Sequence, residues 1–536
     1  MLTNKTTKNE TVEKKSAAEY GGTRCQAIGN HLKLACNIGV YLFLIALVVC
    51  YPFYLPEGYI RMITHKFQFF RTMCVITAAV MIPLAVLYYL VSAGNAFRVG
   101  GRKGKLELSL TDLFVLFFAW ANLTSYFSSG FQEEALWGTE NWWMGFLIYL
   151  FLIGIYFLIS RFYDNRIDVL PVFMAVNLII CLWGVLNRFS VFPVDMHYYA
   201  TNYISCMGNI DWFCGYFSAS FSIGTVLYMI TEKKWMRVFS GICVMVSLGA
   251  GVTAGADSAF LAMGAGLFFL FLAAFHKTRY MKRFLETGIL LCAVCQILYL
   301  VSVFWPESLN YRSFLMDLML GNVTRVGLVV LIVLRIVMGR QEKRIPKYGW
   351  IKYVACGFCA CLFLLYLALL IANTKNPGSI GFLSGYPEVF LFDLQWGGSR
   401  GATWMDGIAI FQSLPGIKRL FGVGPDCYSA YAYGIPELAE RMNREWDNFR
   451  CTNAHNECLT YLVNTGVLGM TTFIGIFVSA FVRLVRKAGK EPLCYVFAAC
   501  LLSYFCHNQF SFAQLESTPY IFMMLGLGEN LLRRSS

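Results

Sequence analysis

The sequence predicts an all-α polytopic membrane protein, with 12–14 transmembrane helices, fourteen on the fullest count, and one large outer loop. Three observations predict it. Charged residues make up 14% of the 536 residues and hydrophobic ones 57%, whereas a soluble domain carries roughly 25% charged residues. Apolar runs of the ~20 residues needed to cross the hydrocarbon layer recur from end to end. The Lys and Arg residues between those runs cluster on alternate sides, as the positive-inside rule requires.

The chain opens on a polar, Lys-rich tail, residues 1–33. No cleavage pattern precedes the first apolar run, so it reads as a retained signal-anchor. Eleven spans follow within 34–373: 34–55, 72–93, 108–127, 143–160, 167–187, 213–231, 238–254, 259–275, 284–304, 319–338 and 353–373. The seventh and eighth are separated only by a Gly-rich turn around Gly255 and Asp257. Residues 374–457 form a long segment of mixed polarity, and 458–536 hold three more spans at 458–482, 493–510 and 517–532.

Charge orients this topology. With the N-terminus inside, 30 Lys and Arg fall on the cytoplasmic side and 12 on the outer side, seven of the 12 in the one long loop. Long loops report weakly on orientation. Both termini are therefore expected in the cytoplasm, with inner loops such as 98–105 and 340–344. The net charge of +13 is spent on orientation, and no nucleic-acid partner is expected. Most of the 19 Cys lie inside apolar runs, where a free thiol behaves as a small hydrophobe. This includes the Cys356-x-x-Cys359 pair. Cys427 and Cys451 share the outer loop, and the sequence leaves open whether they pair.

The outer loop is too long to be a mere connection, and its aromatic content (Trp396, Trp404, Tyr428, Tyr431, Tyr433, Trp446) argues against disorder. Short helices over 403–414, stopped by Pro415, and over 436–446 are expected. Candidate chemistry lies here. Asn453-Ala-His455-Asn456-Glu457 opens the twelfth span at the water–membrane boundary, either as a helix cap or as a site where the helix terminus favours a neutral, proton-accepting imidazole. Arg400, after Gly398-Ser399, presents a planar fork suited to phosphate or carboxylate; the alternative is an ordinary surface arginine. The turn Gly422-Val-Gly424-Pro425 is weak evidence for phosphate binding. Arg325 lies inside the tenth span, where an arginine needs a cavity or a partner. Arg188 and Arg312 stand at outer span ends, as binding residues or as snorkelling ones. His507 and Asn508 form a polar pair without an assigned role. No Asp-x-Asp or His/Asp cluster reads as a metal site.

The order Arg400-x-x-x-Trp404, Pro415, Phe421-Gly-Val-Gly424-Pro425, then Ala454-His455-Asn456-Glu457-x-Leu459-x-x-Leu462-x-x-x-Gly466-x-x-Gly469 resembles the C-terminal signature of the O-antigen ligase and O-antigen polymerase family. The stretch Met207-Gly-Asn209-Ile-Asp211-Trp-Phe is similar to a segment preceding one of that family's spans. The close likeness covers roughly residues 396–470. Two departures stand out: the Ser-Arg that family members often carry before a span is here Asp257-Ser258-Ala259, without the arginine, and there are two spans beyond the usual twelve or so.

The resemblance implies a glycosyltransferase of the bacterial cytoplasmic membrane, needing no cofactor. Its donor would be an undecaprenyl-diphosphate-linked oligosaccharide and its acceptor a glycan, a lipid or a polymer. His455 would be the catalytic base, with Asn456 and Glu457 assisting. Arg400, joined by Arg325, Arg312 and Arg188, would bind the donor diphosphate without a metal. A repeat-unit polymerase differs only in its acceptor. A polysaccharide flippase or transporter is the alternative of another class; transporters of that kind join spans by short loops and keep polar sites near the midplane. Membrane lipids are the remaining partner.

Overall fold

A computed structural model describes residues 26–98, 107–166, 168–339 and 348–535. Most of the N-terminal tail and of the two inner loops named above lie outside these residues. The described chain is mostly helical. Its helices are α1 (Gln26–Cys50), α2 (Met62–Arg98), α3 (Leu110–Ser128), α4 (Gln132–Trp137), α5 (Phe146–Phe162), α6 (Val169–Arg188), α7 (Ile210–Ile230), α8 (Lys234–Ala254), α9 (Asp257–Ala274), α10 (Thr278–Phe304) and α11 (Phe314–Leu320). They continue as α12 (Asn322–Gly339), α13 (Ile351–Lys375), α14 (Pro387–Phe390), α15 (Trp396–Ser413), α16 (Gly416–Phe421), α17 (Tyr428–Tyr433), α18 (Pro436–Glu445), α19 (Glu457–Asn464), α20 (Gly466–Ala488), α21 (Cys494–His507) and α22 (Thr518–Arg534). A two-residue hairpin, β1 (Tyr203–Ile204) with β2 (Gly208–Asn209), is antiparallel and precedes α7.

Thirteen of the fourteen apolar stretches each coincide with one helix, and among the described residues eleven helices are long and apolar enough to cross a membrane. The chain is a multi-pass membrane protein. The turn between the seventh and eighth stretches is real: Gly255 caps α8 in a left-handed conformation (φ +72°), which a side chain would strain. The twelfth stretch, expected as one helix, is broken. Gly466 at φ +69° separates α19 from α20, and a Cβ there would stand 2.2 Å from the Leu420 carbonyl oxygen. The chain has to turn so that 420–424 can pass close by.

α7 is the axis of the bundle and the most deeply buried of the eleven long apolar helices. It packs on α8 and α21. Small residues along it (Gly215, Ser218, Ala219, Ser222, Gly224) permit that close approach, as membrane helices require without a hydrophobic force between them. A Cβ on Gly215 would stand 3.0 Å from Ser517 Oγ. At the other extreme, α12 and α13 are almost entirely exposed on their apolar faces. Arg335, within α12, is satisfied by Glu286 of α10, whose Oε1 lies 2.7 Å from its Nη2.

The segment between α13 and α19 builds a small core of its own, separate from the main one. Ile410, Leu414, Val423, Tyr428, Ala432 and Met442 meet Ala135 of α4. The helices expected over 403–414 and 436–446 are present within α15 and as α18. Arg441 of α18 clamps Asp406 of α15 at 3.1 Å, and Trp446 Nε1 donates to the same carboxylate at 3.0 Å.

Candidate functional site

Three distant stretches meet at the α21–α22 connection. Asp211 comes first. Asn209 caps α7 by accepting the Asp211 N–H at 2.9 Å, which fixes the carboxylate at the head of the axial helix.

Arg400 is the second. Gly397, Gly398 and Ser399 all adopt left-handed backbone angles (φ 60°, 67° and 70°), so the helical part of α15 begins only at Arg400. Two glycines make this turn affordable, and Ser399 bears the strain that remains. Arg400 Nε donates to the Phe510 carbonyl at 2.9 Å and Nη1 to the Gly397 carbonyl at 2.8 Å. Nη2 lies 4.0 Å from Asp211 Oδ1, with the side chain 15% exposed. The guanidinium is thus locked by two carbonyls, with one nitrogen turned towards a carboxylate.

His455 is the third. Its backbone is left-handed (φ 44°) and its N–H donates to Asn453 Oδ1 at 3.0 Å. The ring stands edge-on to Phe512, centroids 5.0 Å apart. Burial pushes the imidazole down to about 4; Asp211 pulls it up and Arg400 pushes it down. The ring is neutral at pH 7 and offers a lone pair, though as a weaker base than an unperturbed histidine near 6.5.

Asn456 and Glu457 occupy other places. Asn456 caps α19 through Leu459 N (3.0 Å) and holds Gln509 O with its amide (3.0 Å). Glu457 points into the core, where Oε2 accepts from Asn508 Nδ2 at 2.5 Å. Burial pushes its carboxyl up to about 8, so it keeps its proton at neutral pH. The carboxylate whose charge raises the proton affinity of His455 is Asp211, which sequence reasoning did not include in the site. The signal was present in the Met207-to-Phe213 stretch.

His507 was likewise left without a role. It is fully buried, and its Nδ1 meets Asn508 Oδ1 at 2.6 Å. The Asn508 amide nitrogen is committed to Glu457, so Oδ1 accepts and Nδ1 carries the hydrogen. Nε2 is then the bare nitrogen, and it has no partner among the described residues. The ring lies against α7: a Cβ on Gly215 would stand 3.6 Å from its Cε1.

The other arginines are engaged elsewhere. Arg325 donates to Gln296 Oε1 (2.9 Å) and Asn322 Oδ1 (3.1 Å) and lies 4.3 Å over the Tyr299 ring. Arg312 is half-exposed beside Asp317. Arg188 is buried, donating to the Thr201 carbonyl at 2.5 Å and the Ala254 carbonyl at 2.9 Å. The Gly422–Gly424 turn is committed to the fold: Gly422 N–H bonds Lys418 O at 2.7 Å and Gly424 N–H bonds Asn464 O at 2.9 Å. Cys427 and Cys451 are both free thiols. Among the described residues no group of three His, Cys, Asp or Glu is placed to hold a metal ion.

Residues 313–474 match the family model described as O-antigen ligase. No curated protein matches the chain. The matched segment runs from the end of α10's connection into α20 and contains Arg325, Arg400 and His455, whereas Asp211, His507 and Asn508 lie outside it. The resemblance read from the motifs is borne out over this segment: residues 313–474 match the O-antigen ligase model, which supports a ligase-type, glycan-transferring function in general.

Proposed function

We propose that this chain, with its O-antigen ligase domain at residues 313–474, transfers a glycan from an undecaprenyl-diphosphate donor to an acceptor at the outer face of a bacterial cytoplasmic membrane. Both termini face the cytoplasm. The observation that carries the reading is the meeting of Arg400, Asp211 and a neutral His455 at one end of the axial helix.

The chemistry follows from those groups. The acceptor hydroxyl gives its proton to the neutral imidazole of His455 as its oxygen bonds to the anomeric carbon. The bond from that carbon to the diphosphate oxygen breaks, and the electron pair leaves with the lipid diphosphate. Asp211 stabilises the imidazolium. Arg400, already fixed by two carbonyls, needs no reorganisation to meet the charge on the leaving group. Activity persists in EDTA, because guanidinium takes the place of a cation.

Purified protein with a lipid-linked donor tests this. A ligase yields an acceptor bearing the glycan; a polymerase, the second reading, yields lipid-linked chains of increasing length; a flippase forms no glycosidic bond. Absence of any new bond, with donor and acceptor both present, would remove the proposal. Reporter fusions at Ser379 and Arg102 test orientation: outside for the first, inside for the second.

A further inference from the structure

The end of α7 opposite the candidate site also collects charge, of one sign. α7 has 21 residues, so at 1.5 Å per residue its ends are about 30 Å apart, the thickness of a bilayer's hydrocarbon core. Around its far end lies a cavity of about 540 Å³ lined by five cationic side chains, Arg237, Arg279, Lys282, Arg283 and Arg335. They come from the starts of α8 and α10 and from within α12. Tyr228 and one carboxylate, Glu286, complete the lining.

The acids cannot balance the bases. Glu286 is used twice, by Arg335 at 2.7 Å and by the Tyr228 hydroxyl at 3.0 Å. Glu232, at the rim, takes Arg279 at 2.6 Å. Arg283 is buried and donates to the carbonyls of Tyr228 and Thr231, which fixes its position without neutralising it. The side chains of Arg237 and Lys282 line the cavity and have no hydrogen-bond or ion-pair partner among the described residues. Loop charges on this side are what membrane orientation demands, but orientation does not require them to converge on one concavity. Packing like charges together costs free energy unless an anion is shared between them.

We propose that this cavity binds a phosphate-bearing anion, with Arg237 and Lys282 contributing the free donors and Arg283 a fixed one. A phospholipid headgroup and a soluble phosphate share that chemistry. The surroundings favour the lipid: another face of α8 carries an open apolar groove lined by Trp235, Val238, Phe239 and Ile242, and basic pockets between spans at the inner face suit anionic headgroups. The site is independent of the transferase reading.

The test is thermal unfolding of the purified full chain in neutral detergent, with added phosphatidylglycerol, phosphatidylcholine or inorganic phosphate. Phosphatidylglycerol is expected to raise Tm by several degrees and phosphatidylcholine not to. The double variant Arg237→Gln/Lys282→Gln should lose most of that gain, and Arg237→Lys/Lys282→Arg should keep it. A matching gain from millimolar phosphate alone would retain the site and identify a soluble ligand. Equal gains from both lipids, or a full gain in the Gln double variant, would overturn the proposal. Unfolding without lipid supplies each variant's own baseline, so a variant that does not fold is recognised, and the charge-retaining pair then decides the matter.

Discussion

The two ends of α7 hold charge in opposite ways. At the Asp211 end every ionic group is matched: Arg400 is held by two carbonyls and faces a carboxylate, and the imidazole beside them is neutral. At the Tyr228 end five cations line a cavity with one carboxylate. The matched end is preorganised, and its residual capacity is one guanidinium nitrogen and two imidazole lone pairs, placed where charge would develop during a reaction. The unmatched end has charge to spare and nothing arranged around a reacting atom. Chemistry needs the first arrangement, whereas simple anion binding is served by the second.

Changes at four positions of the matched end should sharpen this contrast. The largest effect is expected from His455→Ala, a loss on the order of 10²–10⁴-fold in turnover with donor binding retained. His455→Asn should lose as much; an active Asn variant would mean that the residue only shapes the chain before α19, and the bare Nε2 of His507 would be the next candidate base. Next comes Arg400→Lys. It keeps the charge but cannot hold both carbonyls and face Asp211 together, and a fall on the order of 10²-fold is expected; turnover near wild type would show that the fork is unused.

Asp211→Asn should follow, at about tenfold. Its effect on pH dependence is more specific. Asp211 raises the His455 proton affinity, so its loss should move the acid limb of the rate profile to still lower pH. In the unaltered protein that limb should fall near His455's value of about 4, since a base works only above its own pKa. A limb at 6.5 would contradict the burial of the ring.

The smallest effect is expected from Glu457→Gln. Glu457 is protonated at neutral pH and accepts from Asn508, which a glutamine carbonyl can also do, so turnover should change at most a few-fold. The raised carboxyl also sets a sign for stability. Its proton is bound more tightly in the fold, so the stabilisation is complete below about 4.5 and is lost as pH rises through about 8. Thermal unfolding of Glu457→Gln should therefore show less weakening between pH 5 and 8 than the unaltered chain. A large loss of turnover in this variant at pH 7 would restore Glu457 to the reacting group.

The sequence by itself determined the class of molecule, the positions of most of its helices and the segment that matches the O-antigen ligase model. Apolar runs of bilayer length leave a chain little choice, because every backbone N–H and C=O within hydrocarbon must be satisfied internally. The motif order around Arg400 and His455 was legible for the same reason that it is local: each residue sits in a short stretch with its own turn or cap. What only the tertiary structure decided is which groups face one another. Glu457 lies two residues from His455, yet α19's start turns it into the core, while Asp211, more than two hundred residues away, arrives beside Arg400 because α7 packs against α21. The same packing engages Arg325 with Gln296 and Asn322, turns the Gly422–Gly424 loop into a support for α19, and leaves Cys427 and Cys451 apart. Proximity along a chain is fixed by covalent bonds, but proximity across a bundle depends on how small residues such as Gly215 let helices close on each other, and no single stretch of sequence contains that information.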